Sequence, residues 1–177
     1  MKTTTQFTLA GLILLLSAFT LTNSINWEIS QGHSIKFSGT DAEGIFKTMT
    51  GDITFDESNI DSSQFSFKID VNSINTGNGM KNKHAVSSKW FDASNHPSIQ
   101  FESNKFSKTD KEYLVTGLLE IHGIEKEITI PFSFINNSFV AKFSINRLDY
   151  KVGNTKGMNN KVSNEIKLDV TIPVTSK

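Results

Sequence analysis

The stretch Ile128–Ile145, I-T-I-P-F-S-F-I-N-N-S-F-V-A-K-F-S-I, decides the fold. Ile128, Ile130, Phe132 and Phe134 alternate with Thr129, Pro131 and Ser133. After Asn136-Asn137, Phe139, Ala141, Phe143 and Ile145 alternate with Val140, Lys142 and Ser144. A period of two puts every second side chain on one face, so each run is a strand with one dry and one wet side. Asn tolerates positive φ, so the Asn pair suits a tight antiparallel hairpin.

The same alternation extends outward in both directions. Ile53 and Phe55 alternate with Asp52 and Thr54, and Phe65, Phe67, Ile69 and Val71 with Ser66, Lys68 and Asp70. Toward the C-terminus, Ile166, Leu168, Val170, Ile172 and Val174 alternate with Lys167, Asp169, Thr171 and Pro173. Weaker strands fall at Trp27–Ile29, Ser34–Ser38, Ile45–Thr48, Ile99–Phe106 and Tyr113–Ile121. Asp56–Asp61 and His122-Gly123 supply turns between neighbours. Sequential strands with one continuous dry face predict an all-β antiparallel barrel of about eight strands, because closure removes the exposed edges.

Two connections are long. Residues 72–98 contain a predicted short helix over Asn78–Trp90, with Asn78 as its N-cap and Pro97 beyond its end. Residues 146–164 are rich in Asn, Gly and Lys and show no periodicity. Loops of this length are uncommon unless they serve a function.

The N-terminus reads as an address. Lys2 precedes an apolar run from Leu9 to Leu21, about 13 residues against the roughly 20 a membrane span needs. Thr22 and Ser24 stand at the −3 and −1 positions of a cut before Ile25. Residues 1–24 are therefore predicted to be a signal peptide, and 25–177 a single domain with no stable membrane span after cleavage. The expected location is periplasmic or secreted.

Composition removes several function classes. The 177-residue chain carries 18 basic and 18 acidic side chains and no cysteine. A balanced charge argues against a nucleic-acid partner, and the missing thiols exclude disulfides, thiolate metal sites and cysteine nucleophiles. No G-x-S-x-G elbow is present, and Gly77-Asn78-Gly79 leads into no phosphate loop. Asp56-Glu57 and Glu125/Glu127 sit in turns or on wet strand faces. His33, His84, His96 and His122 contain no i, i+4 pair and read as surface histidines, so the sequence identifies no metal site, no cofactor and no catalytic residue.

Phenylalanine occurs 14 times, against 2 Tyr and 2 Trp. Shared strand parity predicts that Phe37, Phe55, Phe67, Phe101, Ile130, Phe132 and Phe143 point inward. A barrel of this size either fills its centre with side chains or holds one small apolar ligand.

Read in order, several segments resemble the YceI-like family of exported, lipocalin-like bacterial barrels. They are Trp27-Glu28-Ile29 with His33–Phe37, Gly44-Ile45-Phe46 with Gly51–Asp56, and Val71–Thr76. His84–Ser88 with Trp90-Phe91-Asp92, His96-Pro97 and Ile99-Gln100-Phe101 is similar to a further family motif, as are Gly117–Gly123 with Pro131 and Asn146-Arg147 with Asp149. The resemblance runs from about Trp27 to Val174. It implies a lipocalin-like barrel and a non-catalytic lipid carrier, with an isoprenoid or fatty-acid-like chain in the apolar interior.

The rivals are a filled barrel acting as an adhesin or assembly partner, and a lipid-modifying hydrolase. The chain's one arginine, Arg147, offers a forked contact to an anionic head group or to a carboxylate such as Asp149. Lys81, Lys83 and His84 are further head-group candidates. With Lys89, Lys151 and Lys156 they would form a positive rim if both long loops cover one barrel mouth.

Overall fold

A computed structural model describes residues 25–153 and 161–177. The predicted signal peptide 1–24 and Lys156 lie outside the described residues. The elements are β1 (Asn26–Ile29), β2 (Ser34–Gly39), β3 (Ala42–Phe46), β4 (Met49–Thr54), β5 (Gln64–Asp70), β6 (Ile74–Asn75), α1 (Gly79–Ala85), β7 (Ser98–Lys108), β8 (Tyr113–Ile121), β9 (Ile124–Ile135), β10 (Ser138–Asn146) and β11 (Glu165–Ser176). No described helix is long and apolar enough to cross a membrane.

All pairings are antiparallel, and several segments are halves of one bent strand. One edge of β11 pairs first with β2 (Thr171↔Ser34) and then with β1 (Val174↔Ile29). In the same way β3 and β4 pair with β2 and β1, and β6 and β5 pair with β3 and β4. Counted this way, eight strands run up and down in sequence and close between the first and the last. The chain is an eight-stranded antiparallel barrel, as its alternation predicts.

The bends explain where strand boundaries depart from expectation. The strand expected over Ile45–Thr48 begins earlier, at Ala42, and breaks at Lys47–Thr48. There Ser73 Oγ accepts from both backbone N–H groups, each at 3.1 Å, and the Lys47 N–H also donates to the Ser73 carbonyl at 3.3 Å. The hairpins follow the expected chemistry. Asn136 and Asn137 take φ of 49° and 54°, and His122 and Gly123 take 56° and 70°, so both turns have the primed geometry that matches strand twist.

The predicted helix over Asn78–Trp90 forms only at Gly79–Ala85. Asn78 Oδ1 accepts from the N–H groups of Met80 and Lys81, as an N-cap should. Ser87 Oγ donates to the His84 carbonyl at 2.6 Å, and the Trp90 N–H to the Ser87 carbonyl at 2.9 Å. These local bonds turn the chain back before a second helical turn is complete.

The core is unevenly distributed along the barrel axis. One end is solid with aromatic rings. Phe55, only 1% exposed, contacts Phe65, Tyr113, Phe132, Phe134 and Phe139 at centroid separations of 5.2–6.2 Å. Four of these contacts are edge-on, the orientation that aligns ring quadrupoles favourably. Trp27 Nε1 donates to the Phe55 carbonyl at 2.9 Å and ties the first strand across this plug.

Candidate ligand cavity and its mouth

Above the plug the barrel is hollow. A cavity of about 610 Å³ opens at the end opposite Phe55, within the roughly 300–1,000 Å³ range of small-molecule sites. Phe65, Phe132 and Phe139 form its floor, and they also belong to the aromatic plug. Register builds the walls: Phe67 faces Phe101 across β5–β7, Phe101 faces Leu119 across β7–β8, and Phe143 faces Leu168, which faces Phe37.

Of the residues predicted to point inward, Phe37, Phe67, Phe101, Ile130, Phe132 and Phe143 line the cavity. Phe55 does not line it. Its side chain faces inward but lies within the packed end, where neighbouring rings occupy the space a ligand would need.

Both long connections come to the mouth. Lys81, His84, Ala85, Trp90 and Phe91 reach it from the first, and Arg147, Tyr150, Val152, Lys161 and Val162 from the second. Lys83, Lys89 and Lys151 do not line it. The expected positive rim is also interrupted, because Asp41 of the β2–β3 turn and Glu43 of β3 line it too. Sequence reasoning missed these two and Lys161, since only closure of the barrel brings them to the same opening as Lys81 and His84.

Arg147 is only 4% exposed, and its described contacts are of a structural kind. It starts a 3-10 turn, Arg147–Tyr150, capped by Asn146 Oδ1 on the Leu148 N–H. Its Nε donates to the Ser163 carbonyl at 3.0 Å and Nη1 to the Val152 carbonyl at 2.8 Å. Nη2 donates to the Val162 carbonyl at 3.1 Å and to Asn164 Oδ1 at 3.2 Å. Asp149, the carboxylate named with it in the sequence, instead pairs with Lys126 at 3.6 Å. Burial lowers the Arg147 pKa from its ordinary value, yet a guanidinium still holds its charge at neutral pH.

The histidines do not all sit at the surface. His84 is exposed, while His33, His96 and His122 are half-buried. The His96 and His122 rings meet edge-on at 4.8 Å, and Asp92 lies beside them. No spacing in the sequence signals this convergence.

The comparisons with known proteins agree with the architecture. The family model for the YceI-like domain matches residues 22–174. The chain belongs to the YceI-like family. It is 34% identical over 114 residues to a UPF0312 protein of Vibrio parahaemolyticus, which covers 63% of this chain and 57% of that one. The matched segment thus spans little more than half of that relative. Among solved structures, BcnA of Burkholderia cenocepacia superposes with a TM-score of 0.77 at 24% identity, over 84% of this chain and 99% of that one. A polyisoprenoid binding domain from Saccharophagus degradans superposes with a TM-score of 0.61 at 13% identity, over 87% and 99%. These two share the fold with this YceI-like protein.

Proposed function

We propose that this YceI-like protein is an exported, non-catalytic carrier of a single apolar chain, of the isoprenoid or fatty-acid type. The tail would lie against Phe37, Phe67, Phe101, Ile130, Phe132 and Phe143. The polar end would emerge among Lys81, His84 and Lys161, which line the same opening. The observation that carries the reading is the open apolar cavity of about 610 Å³ above a solid aromatic floor. Each methylene moved from water into such a space contributes about 0.8 kcal/mol, so ten carbons supply several kcal/mol before ordering costs. The structural likeness to a polyisoprenoid binding domain supports the same ligand class. The leader-like residues 1–24 support export, with the carrier working in the periplasm or outside the cell.

The filled-barrel alternative calls for a solid interior and a broad exposed apolar patch. Among the described residues the exposed large hydrophobics are Ile25, Met80, Leu118 and Ile135, which lie on four separate segments. Native mass spectrometry of the purified protein, followed by organic extraction, tests the proposal. A co-purified lipid at up to one per chain is expected. A protein that carries no lipid and takes up neither a long-chain isoprenoid nor a fatty acid would overturn it.

A further inference from the structure

We infer that Asp92, His96 and His122 form a site for one divalent transition-metal ion of borderline softness, zinc foremost, on the rim of the barrel. One carboxylate oxygen and one nitrogen from each ring all lie within 4.8 Å of one another. An ion bonded at about 2.0–2.2 Å needs its donors about 3.4 Å apart, so side-chain rotations on the order of 1 Å close the set.

The three residues come from two segments that the fold holds rigidly. Asp92 and His96 lie in the turn after α1, where the His96 N–H donates to the Asp92 carbonyl at 2.8 Å. His122 begins the β8–β9 turn. Asp92 and His122 both have left-handed backbones, with φ of 47° and 56°. Asp and His are among the non-glycine residues that adopt this region most readily, and here both do so in tight turns.

The surrounding contacts are those that metal ligands need. The Asp92 carboxylate accepts from Ser94 Oγ at 2.9 Å and from Asn95 Nδ2 at 2.8 Å, which fixes its direction. His122 Nδ1 lies 3.3 Å from the Tyr150 carbonyl. A carbonyl only accepts, so the tautomer that makes this bond carries its proton on Nδ1 and offers Nε2 to an ion. Gly123 completes the cradle. A side chain there would come within 2.6 Å of His96 Cε1 and push the ring out.

Two imidazoles and one carboxylate leave a fourth position for water or a ligand atom. This donor set suits zinc, copper, nickel or cobalt, whereas calcium and magnesium favour all-oxygen shells. The site joins the α1 turn, the β8–β9 turn and, through Tyr150, the second long connection. Tyr150 lines the mouth, so a bound ion would pin together three segments around the cavity entrance.

The test is titration of the purified, untagged protein with zinc chloride by isothermal calorimetry, and with cobalt chloride by visible absorption. One equivalent should bind with micromolar or tighter affinity, and cobalt should show the intense bands of a low-coordinate nitrogen–oxygen site. His96→Ala and His122→Asn should each weaken binding at least tenfold. Asparagine tolerates the left-handed backbone at 122, and Asp92→Asn serves as a third variant if either one unfolds. Calcium and magnesium should produce no saturable signal. Absence of one-equivalent binding, or wild-type affinity in a variant with a normal melting curve, would overturn the site. Neither readout depends on lipid, so failure here is separable from failure of the carrier proposal.

Discussion

The Arg147 guanidinium lies 5.3 Å from the centre of the Trp90 ring, and this stack joins the two long connections across the mouth of the barrel. Gly153 packs against the same pair: a side chain there would reach 2.7 Å from the indole and 3.0 Å from Arg147 Nη1. A planar cation fits between the indole and a set of carbonyl oxygens in a way that an ammonium cannot. Arg147 thus acts as a strut that shapes the entrance to the cavity.

The first prediction follows from that strut. Arg147→Ala leaves the carbonyls of Val152, Val162 and Ser163 without their shared donor. It should lower stability by at least about 2 kcal/mol in urea unfolding, since hydrogen bonds to charged groups contribute about 1.5–3 kcal/mol each. Arg147→Lys should recover little of the loss. Unchanged stability, with a selective fall in affinity for anionic lipids, would instead assign Arg147 to the head group.

A second prediction concerns close approach. On β8, Gly117 lies under the Phe101 ring, and a Cβ there would meet the Glu102 carbonyl oxygen, with Phe101 Cζ at 2.8 Å. The β7–β8 register shifts at this point, between Ser103 and Lys105. Gly117→Ala should cost about 1–3 kcal/mol through overpacking. It should also drive Phe101 into the cavity and so reduce lipid uptake. Equal melting temperatures for the two proteins would count against the strain.

A third prediction separates packing from ligand binding along one barrel axis. Phe55→Ala removes the centre of the aromatic plug and should destabilise by about 3–5 kcal/mol. Phe67→Asp places a carboxylate in the cavity wall, where desolvation costs several kcal/mol or raises its pKa. That variant should remain folded by circular dichroism and lose lipid affinity at least tenfold. Retention of wild-type lipid load by Phe67→Asp would place the ligand elsewhere.

Most of the barrel was legible because alternation with period two fixes which side of a strand is dry, residue by residue. Phe132 and Phe143 could be assigned inward from Ile128–Ile145 alone. The same parity could not separate Phe55 from Phe67. Both point inward, and only their heights along the axis make one a plug and the other a wall. The rim was less legible, because Asp41, Lys81, Arg147 and Lys161 are brought together by closure and not by sequence spacing. The cluster of Asp92, His96 and His122 was invisible for the same reason. His122 comes from a hairpin turn, and its meeting with His96 depends on the bare face of Gly123.

The last prediction concerns the charge of the rim. Lys81, His84 and Lys161 stand there with Asp41 and Glu43, so the field at the mouth is mixed instead of uniformly positive. Long-range attraction of an anionic head group should therefore be modest, while contact with the exposed Lys81 still favours it. Titration of an isoprenoid pyrophosphate and of its neutral alcohol separates the two contributions. At low salt the pyrophosphate should bind more tightly, by less than about tenfold. At roughly 0.5 M salt that preference should shrink, because the screening length falls to a few ångströms. The alcohol's affinity should hold or rise slightly, because tail burial carries no charge. Lys81→Ala should remove much of the low-salt preference, and Asp41→Asn with Glu43→Gln should enlarge it. If both ligands bind equally at every salt concentration, and neither set of variants changes this, then the rim does not read charge and the barrel is a sleeve for apolar chains alone.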